Sequence, residues 1–322
     1  MQKYPFHIDT NILNLVAEIS ERAGQIRVSS NLNNSPQLRR SNRIKTVYSS
    51  LAIEQNTLTL DQVTAVLQGK RVLAPPKDIE EVRNAFEIYE HLEELDPYSI
   101  EDLLFAHGIM MKNIGEDAGE FRSKPVGVVD SGGRILHFGT LPEFVPGLVD
   151  ELLHWVKEED LHVLIKGCVF HYEFELIHPF SDGNGRIGRL WHTLLLSKWN
   201  PLFAWLPIES IIHDRQEEYY RAINQSNHAA DSTAFITFML SAILAALQEA
   251  AVDLPQTKQR KTADREETIE AFLERNNRIS NGDVRELFGV SPATANRILN
   301  ALVKQGRILR FRNGKFWAYR KP

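Results

Sequence analysis

The sequence predicts a mainly α protein: a helical bundle carrying one small β-hairpin, followed by a small C-terminal α+β module. Three observations carry this. Apolar residues recur at three- and four-residue spacing, bounded by capping signals. Short alternating runs surround Gly132-Gly133 and Asn313-Gly314. Charge also changes sign along the chain: residues 265–322 hold 12 Lys+Arg against 6 Asp+Glu, the residues before them 25 against 36, for a net −5. A basic end on an acidic body implies different partners for the two parts.

The elements follow in order. Ser35-Pro36 caps a helix running towards Glu54, and Thr59-Leu60-Asp61-Gln62 is a capping box for another, closed at Gly69. Glu120-Phe121-Arg122 and Val126 to His137 alternate around the Gly-Gly pair and read as a hairpin. Arg186 to Lys198 places Ile187, Leu190, Leu194 and Leu195 at helical spacing. Ala234 to Leu247 is apolar and uncharged but too short for about 30 Å of hydrocarbon, so it reads as a buried helix and no membrane partner is expected. Residues 250–264, polar and with little periodicity, read as a linker. The expected division is an N-terminal helical region (1–95), a core (96–249), the linker, and a tail (265–322).

Within the tail, Arg265 to Arg275 is a helix, Ser280-Asn281 opens a second that Gly289 stops, and Ser291-Pro292 launches a third through Ala295, Ile298, Leu299 and Leu302. Residues 307–311 and 315–319 then alternate about Asn313-Gly314. The tail resembles a winged helix-turn-helix module. That resemblance implies Thr294, Asn296, Arg297 and Asn300 facing a DNA major groove, with Arg310, Arg312 and Lys315 near phosphate. The same fold also serves as a protein-docking or dimerisation unit.

Composition excludes several classes. With 322 residues, 43% hydrophobic and 25% charged, the chain is neither disordered nor fibrous. The single Cys168 excludes an internal disulfide and a cysteine metal cluster, and fits a reducing cytoplasm. The N-terminus lacks the basic-then-apolar pattern of a signal peptide.

Chemistry concentrates in His178-Pro-Phe-Ser-Asp-Gly-Asn-Gly-Arg-Ile-Gly-Arg189. Asp182, Gly183, Asn184 and Gly185 tolerate positive φ and let backbone N–H groups converge on an anion, at what should be a helix N-terminus. Arg186 and Arg189 share a helix face, and their forks match phosphate. Asp182 is a hard carboxylate of the kind that holds Mg²⁺ with substrate phosphates, and His178 is a candidate base. The inventory points to phosphoryl or nucleotidyl transfer. There is no G-x-x-x-x-G-K-[ST] loop, no EF-hand ligand pattern and no H-E-x-x-H.

This run resembles the Fic family signature, H-x-F-x-[D/E]-G-N-G-R-x-x-R, at every specified position. The resemblance implies transfer of AMP from ATP to a Ser, Thr or Tyr hydroxyl of a target protein, the chain itself being one such target. His178 would be the base, Asp182 the Mg²⁺ ligand, Asn184 with the Gly183 and Gly185 backbone the phosphate cradle, and Arg186 and Arg189 the clamps. Ser50 and Glu54 similarly resemble the family's inhibitory motif, [S/T]-x-x-x-E-[G/N], with Gln55 in place of Gly or Asn. Glu54 would then pair with Arg189 in the place of the γ-phosphate, and in reverse hydrolysis would orient water. Val126, Gly127, Val128 and His137 would form a flap that accepts the target as an added strand. Tyr219 or Tyr220 would border the adenine. A DNA-binding regulator that senses nucleotide is the alternative, and both a monomer and a homodimer are compatible with the sequence.

Overall fold

In the computed structural model, residues 4–29, 36–129, 135–313 and 316–322 are described. The expected caps at Ser35 and the hairpin turns at Gly132-Gly133 and Gly314-Lys315 lie outside them. The chain forms two compact units, residues 1–250 and 251–322.

The first unit is helical, and α3 begins and ends where the sequence places caps. Helix α1 (Thr10–Ser29) buries Ile12, Ile19, Ala23 and Ile26 on one face. Helix α2 (Pro36–Ile53) buries Val47, Leu51 and Ile53 together with Ser49 and Ser50. In α3 (Leu60–Leu67) Thr59 and Gln62 complete the capping box, and Gly69 follows at φ 74°. Helices α4 (Pro76–Glu90) and α5 (Ile100–Met110) pack together ahead of the hairpin.

The hairpin is shorter than expected. Strands β1 (Gly127–Val129) and β2 (Ile135–Phe138) pair antiparallel, with Val128 opposite His137. Glu120-Phe121-Arg122, read as a strand, lies outside it. Arg122 is 2% exposed and turns inward, and a buried guanidinium overrides a local alternation pattern.

After α6 (Val145–Glu158) come the two central helices, α7 (Val163–Ile177) and α8 (Asn184–Trp199). Both are buried over most of their length, with Phe170, Phe174, Leu190, Trp191 and Leu194 fully enclosed. Helices α9 (Ile208–Asp214) and α10 (Gln216–Ala229) follow. Helix α11 (Thr233–Asn276) then runs for 44 residues. Its first part, Thr233–Ala250, is apolar enough to cross a membrane by composition, yet Phe235, Ile236, Met239, Leu240, Ile243 and Leu247 are core residues of the first unit.

Residues 250–264, read as a linker, lie within α11, and the boundary between the two units falls at 250/251. Gln, Lys, Arg and Ala on either side of Pro255 have high intrinsic helix propensity, so a polar segment without an apolar stripe can be helical. The second unit has its own core of Ile269, Leu273, Ile279, Val284, Ala295, Leu299, Leu302, Ile308 and Tyr319. Helix α12 (Asn281–Phe288) starts at a Ser280–Asp283 capping box and ends at Gly289, φ 60°. Ser291 caps α13 (Pro292–Lys304). Strands β4 (Leu309–Asn313) and β5 (Phe316–Arg320) form the hairpin, and β3 (Ile279–Ser280) joins β5.

Candidate active site

Helix α7 ends at His178, which takes a left-handed conformation, φ 51°. The reversal throws the chain into the 178–183 loop. The His178 Nδ1 lies 3.3 Å from the Glu175 carbonyl. A carbonyl only accepts, so Nδ1 carries the proton in this contact and the basic lone pair belongs to Nε2.

The loop is clamped from within and from below. Phe180 is fully buried and stacks on His107 of α5, centroids 3.7 Å apart. The Asn184 side chain donates to the Phe180 carbonyl and accepts from its N–H, each at 2.9 Å. Asn184 therefore acts as the loop's staple, a role the sequence reading had not given its side chain. His107 accepts the Gly119 N–H at Nδ1 (3.0 Å) and donates from Nε2 to the Asp182 carbonyl (3.0 Å). Burial holds its pKa down, to about 4, so it stays neutral in that tautomer.

Gly183, at φ 85°, is the N-cap of α8, and no side chain caps this helix start. Helix N–H groups left without a side-chain cap attract anions. Glu54 lies beside this helix start. A Cβ on Gly185 would collide with Glu54 Oε1 and come within 3.0 Å of Arg189 Nη1. The absent side chain at Gly185 is what lets a carboxylate sit there.

Arg189 is held entirely by α2 and its end: Nε donates to Ser50 Oγ (3.2 Å), Nη2 to the Ser50 carbonyl (3.0 Å) and to Glu54 Oε1 (2.7 Å). Burial opposes the Arg189 charge, but Glu54, Tyr219 and Glu175 together outweigh it and the pKa is raised. The residue departing from the inhibitory pattern, Gln55, takes the left-handed conformation (φ 68°) that Gly or Asn would. Gln55 N–H bonds the Ala52 carbonyl and Asn56 N–H the Leu51 carbonyl, a complete Schellman end.

Arg186 bridges Asp182 Oδ1 (2.9 Å) and Glu81 Oε1 of α4 (3.1 Å). Glu81 also accepts from Asn56 Nδ2 at 2.8 Å. Neither Glu81 nor His107 had a sequence signal, since each is more than 70 residues from its partner in the 178–189 run. Asp182 keeps a side chain 55% exposed. No cluster of three or more metal-ligating side chains occurs among the described residues.

Behind Arg189 lies a buried polar group. Tyr219 Oη and His171 Nε2 are 3.2 Å apart, and His171 lies 3.9 Å from Glu175. Tyr219 is 1% exposed and belongs to this core, which removes it from any adenine face. Tyr220 is 41% exposed, and both Glu54 and Arg189 influence its hydroxyl, so it borders the site. Of the hairpin residues, Gly127 opens β1 and Val126 precedes it, and the side chains of Val128 and His137 lie outside the described residues.

In the second unit, Asn296, Arg297, Asn300, Arg310 and Arg312 are exposed and Thr294 is half-buried. Asn296 accepts from Asn281 Nδ2, and Arg310 and Arg312 stack on Trp317 at 3.8 and 5.0 Å.

Fold and site together define a class: a helical bundle whose loop-to-helix turn carries His178, Asp182, Arg186 and Arg189, with a separate winged helix-turn-helix unit. The profile of the Fic/DOC family matches residues 97–196, and that of a winged helix-turn-helix DNA-binding family matches 271–308. The crystal structure of a Fic family protein from Desulfovibrio desulfuricans G20 is 41% identical, covers 100% of this chain and 98% of its own, and superposes with a TM-score of 0.79. This chain belongs to the Fic family. Protein adenylyltransferase fic-1 of Caenorhabditis elegans is 28% identical over 254 residues, 75% of this chain and 47% of the relative. Protein adenylyltransferase Fic of Nematostella vectensis is 30% identical over 205 residues, 60% of this chain and 45% of the relative. The chain thus matches less than half the length of these curated relatives.

Proposed function

We propose that the chain transfers AMP from ATP to a Ser, Thr or Tyr hydroxyl of a protein, itself included, and that Glu54 restrains the reaction. The observation that carries this is Glu54 Oε1 on Arg189 over Gly185, a carboxylate in the seat built for a phosphate. The names of the curated relatives support the reaction class.

In this reading the target hydroxyl oxygen attacks the α-phosphorus, the bond from that phosphorus to the bridging oxygen breaks, and pyrophosphate leaves. The hydroxyl proton goes to His178 Nε2. The N–H groups at the start of α8, Arg186 and Arg189 hold the phosphates. A half-exposed Asp182 carboxylate fits Mg²⁺, which takes one or two carboxylates and completes its shell with phosphate and water. Bound there, the ion would neutralise phosphate charge. The same seat would serve hydrolysis of AMP from a modified protein, with Glu54 orienting water. A cytoplasmic location accords with the lone buried Cys168.

The second unit supports a second reading, a DNA-binding regulator with a nucleotide-sensing body. Its favouring observation is the row of exposed Arg297, Asn300, Arg310 and Arg312 on a winged fold. Incubation with ATP labelled at the α- or the γ-phosphate separates the two. His178-dependent labelling of protein from the α position alone supports transfer of AMP. Labelling from neither position, with nucleotide-dependent binding to duplex DNA, supports the regulator and removes the enzyme.

A further inference from the structure

Arg122 is 2% exposed, and among the described residues no carboxylate pairs with it. Its guanidinium is spent on carbonyl groups. Nε donates to the His178 carbonyl (2.6 Å), Nη1 to Lys124 (3.1 Å), and Nη2 to Ile177 (3.2 Å) and to Thr140. Its own backbone N–H donates to the Pro179 carbonyl at 3.0 Å. One side chain therefore holds the end of α7, the His178 peptide, and the chain on both sides of the hairpin. Lys124 precedes β1 and Thr140 follows β2.

Desolvating a guanidinium costs several kcal/mol unless its N–H groups are met, and burial does hold the Arg122 pKa down. A planar five-donor fork is the side chain able to meet several carbonyls converging from three segments; an ammonium offers three donors from one point. Two further facts show close fitting. The His178 left-handed conformation belongs to a non-glycine residue, which surrounding contacts must impose. Gly139, beside β2, is where an added Cβ would lie 3.1 Å from Arg122 Nη2 and 2.9 Å from Val126 Cγ2.

We propose that Arg122 is a positioning residue that fixes the His178 backbone and sets its place relative to the roots of the hairpin. The inference rests on the reading of His178 as base and of the hairpin as the target's docking strand. A target laid along the hairpin would then present its hydroxyl at a distance from the imidazole set by one guanidinium. Neither Ser50-Glu54 nor the arginines of α8 touch this device, so nucleotide binding should be independent of it.

The test uses the full chain with Glu54→Gly, in three forms: Arg122 intact, Arg122→Lys, and Gly139→Ala with Arg122 kept. AMP transfer, ATP affinity, thermal midpoint and the NMR signals of the His178 ring are read together. The expected result is a fall in kcat of about 100-fold for Arg122→Lys, the scale of a 1 Å misplacement, and a smaller fall for Gly139→Ala. ATP affinity should stay within about twofold, with a displaced His178 signal and an unmoved His107 signal. Loss of ATP affinity in parallel with transfer would make Arg122 a general stabiliser and overturn the proposal. So would unchanged transfer and ring signals. If Arg122→Lys does not fold, Gly139→Ala decides by the same criteria. If the Arg122-intact form transfers no AMP, the enzymatic reading fails by itself, and the displacement of the His178 signal still decides the role of Arg122.

Discussion

At the scale of single residues, the proposed function turns on the contact between Glu54 and Arg189, 2.7 Å, beside Gly185. On that reading a triphosphate would compete with Glu54 for the Arg189 guanidinium. Glu54→Gly should raise self-labelling at least tenfold, a difference of about 1.4 kcal/mol; equal labelling in both forms would end the inhibitory role. Gly185→Ala gives a contrasting result. It expels Glu54 but fills the seat, so ATP affinity should weaken by about tenfold or more and labelling should not rise. Equilibrium binding of ATP to the two variants checks this. Glu175 offers a third test. Burial, reinforced by Glu54, pushes its pKa up to about 7 from 4.5. The folded chain then keeps a proton that the unfolded chain releases earlier, so this residue makes stability decline as pH rises from 4.5 to about 7, and adds no slope above. Denaturation of Glu175→Gln across pH should lack that decline, with the variant more stable by ~3 kcal/mol at pH 8 and level with the parent near pH 4.

At the scale of elements, what could be read in advance was what is local. The capping box at Thr59, the helix start at Ser280, the Pro at the start of α13 and the glycine ends at Gly69 and Gly289 each depend on neighbours within a few residues. The His178–Arg189 run was legible for the same reason, since loop, cap and clamps follow one another in sequence. Arg122, Glu81 and His107 were not legible, because each acts on carbonyls or charges brought near only by packing. Tyr219 and Tyr220 show the limit from the other side: adjacent aromatics on one helix point apart, and sequence cannot say which faces the core. The end of α2 yields a prediction at this scale. Gln55 holds a conformation that Gly adopts without strain, so Gln55→Gly should stabilise the chain by about 0.5–1 kcal/mol and leave inhibition intact. A thermal melt and the labelling assay together would show it, and a loss of stability would contradict the Schellman end.

At the scale of the whole molecule, two units with separate cores should carry separable functions. A Glu54→Gly chain ending at Ala250 should keep self-labelling within about threefold of the full-length form, near 0.6 kcal/mol, while losing any affinity for duplex DNA. A larger loss of labelling would show that the second unit serves the first. The clasp between Asn56, Glu81 and Arg186 has one more consequence for how such a chain could be set free. The segment bearing Glu54, the proposed brake, is also masonry: Val47, Leu51 and Ile53 line the interior, and its last turn reaches one arginine through Ser50 and Glu54 and the other through Asn56 and Glu81. Cutting α2 away would therefore loosen both arms that should grip a nucleotide, whereas swinging one carboxylate aside would release the substrate's place and leave the walls standing.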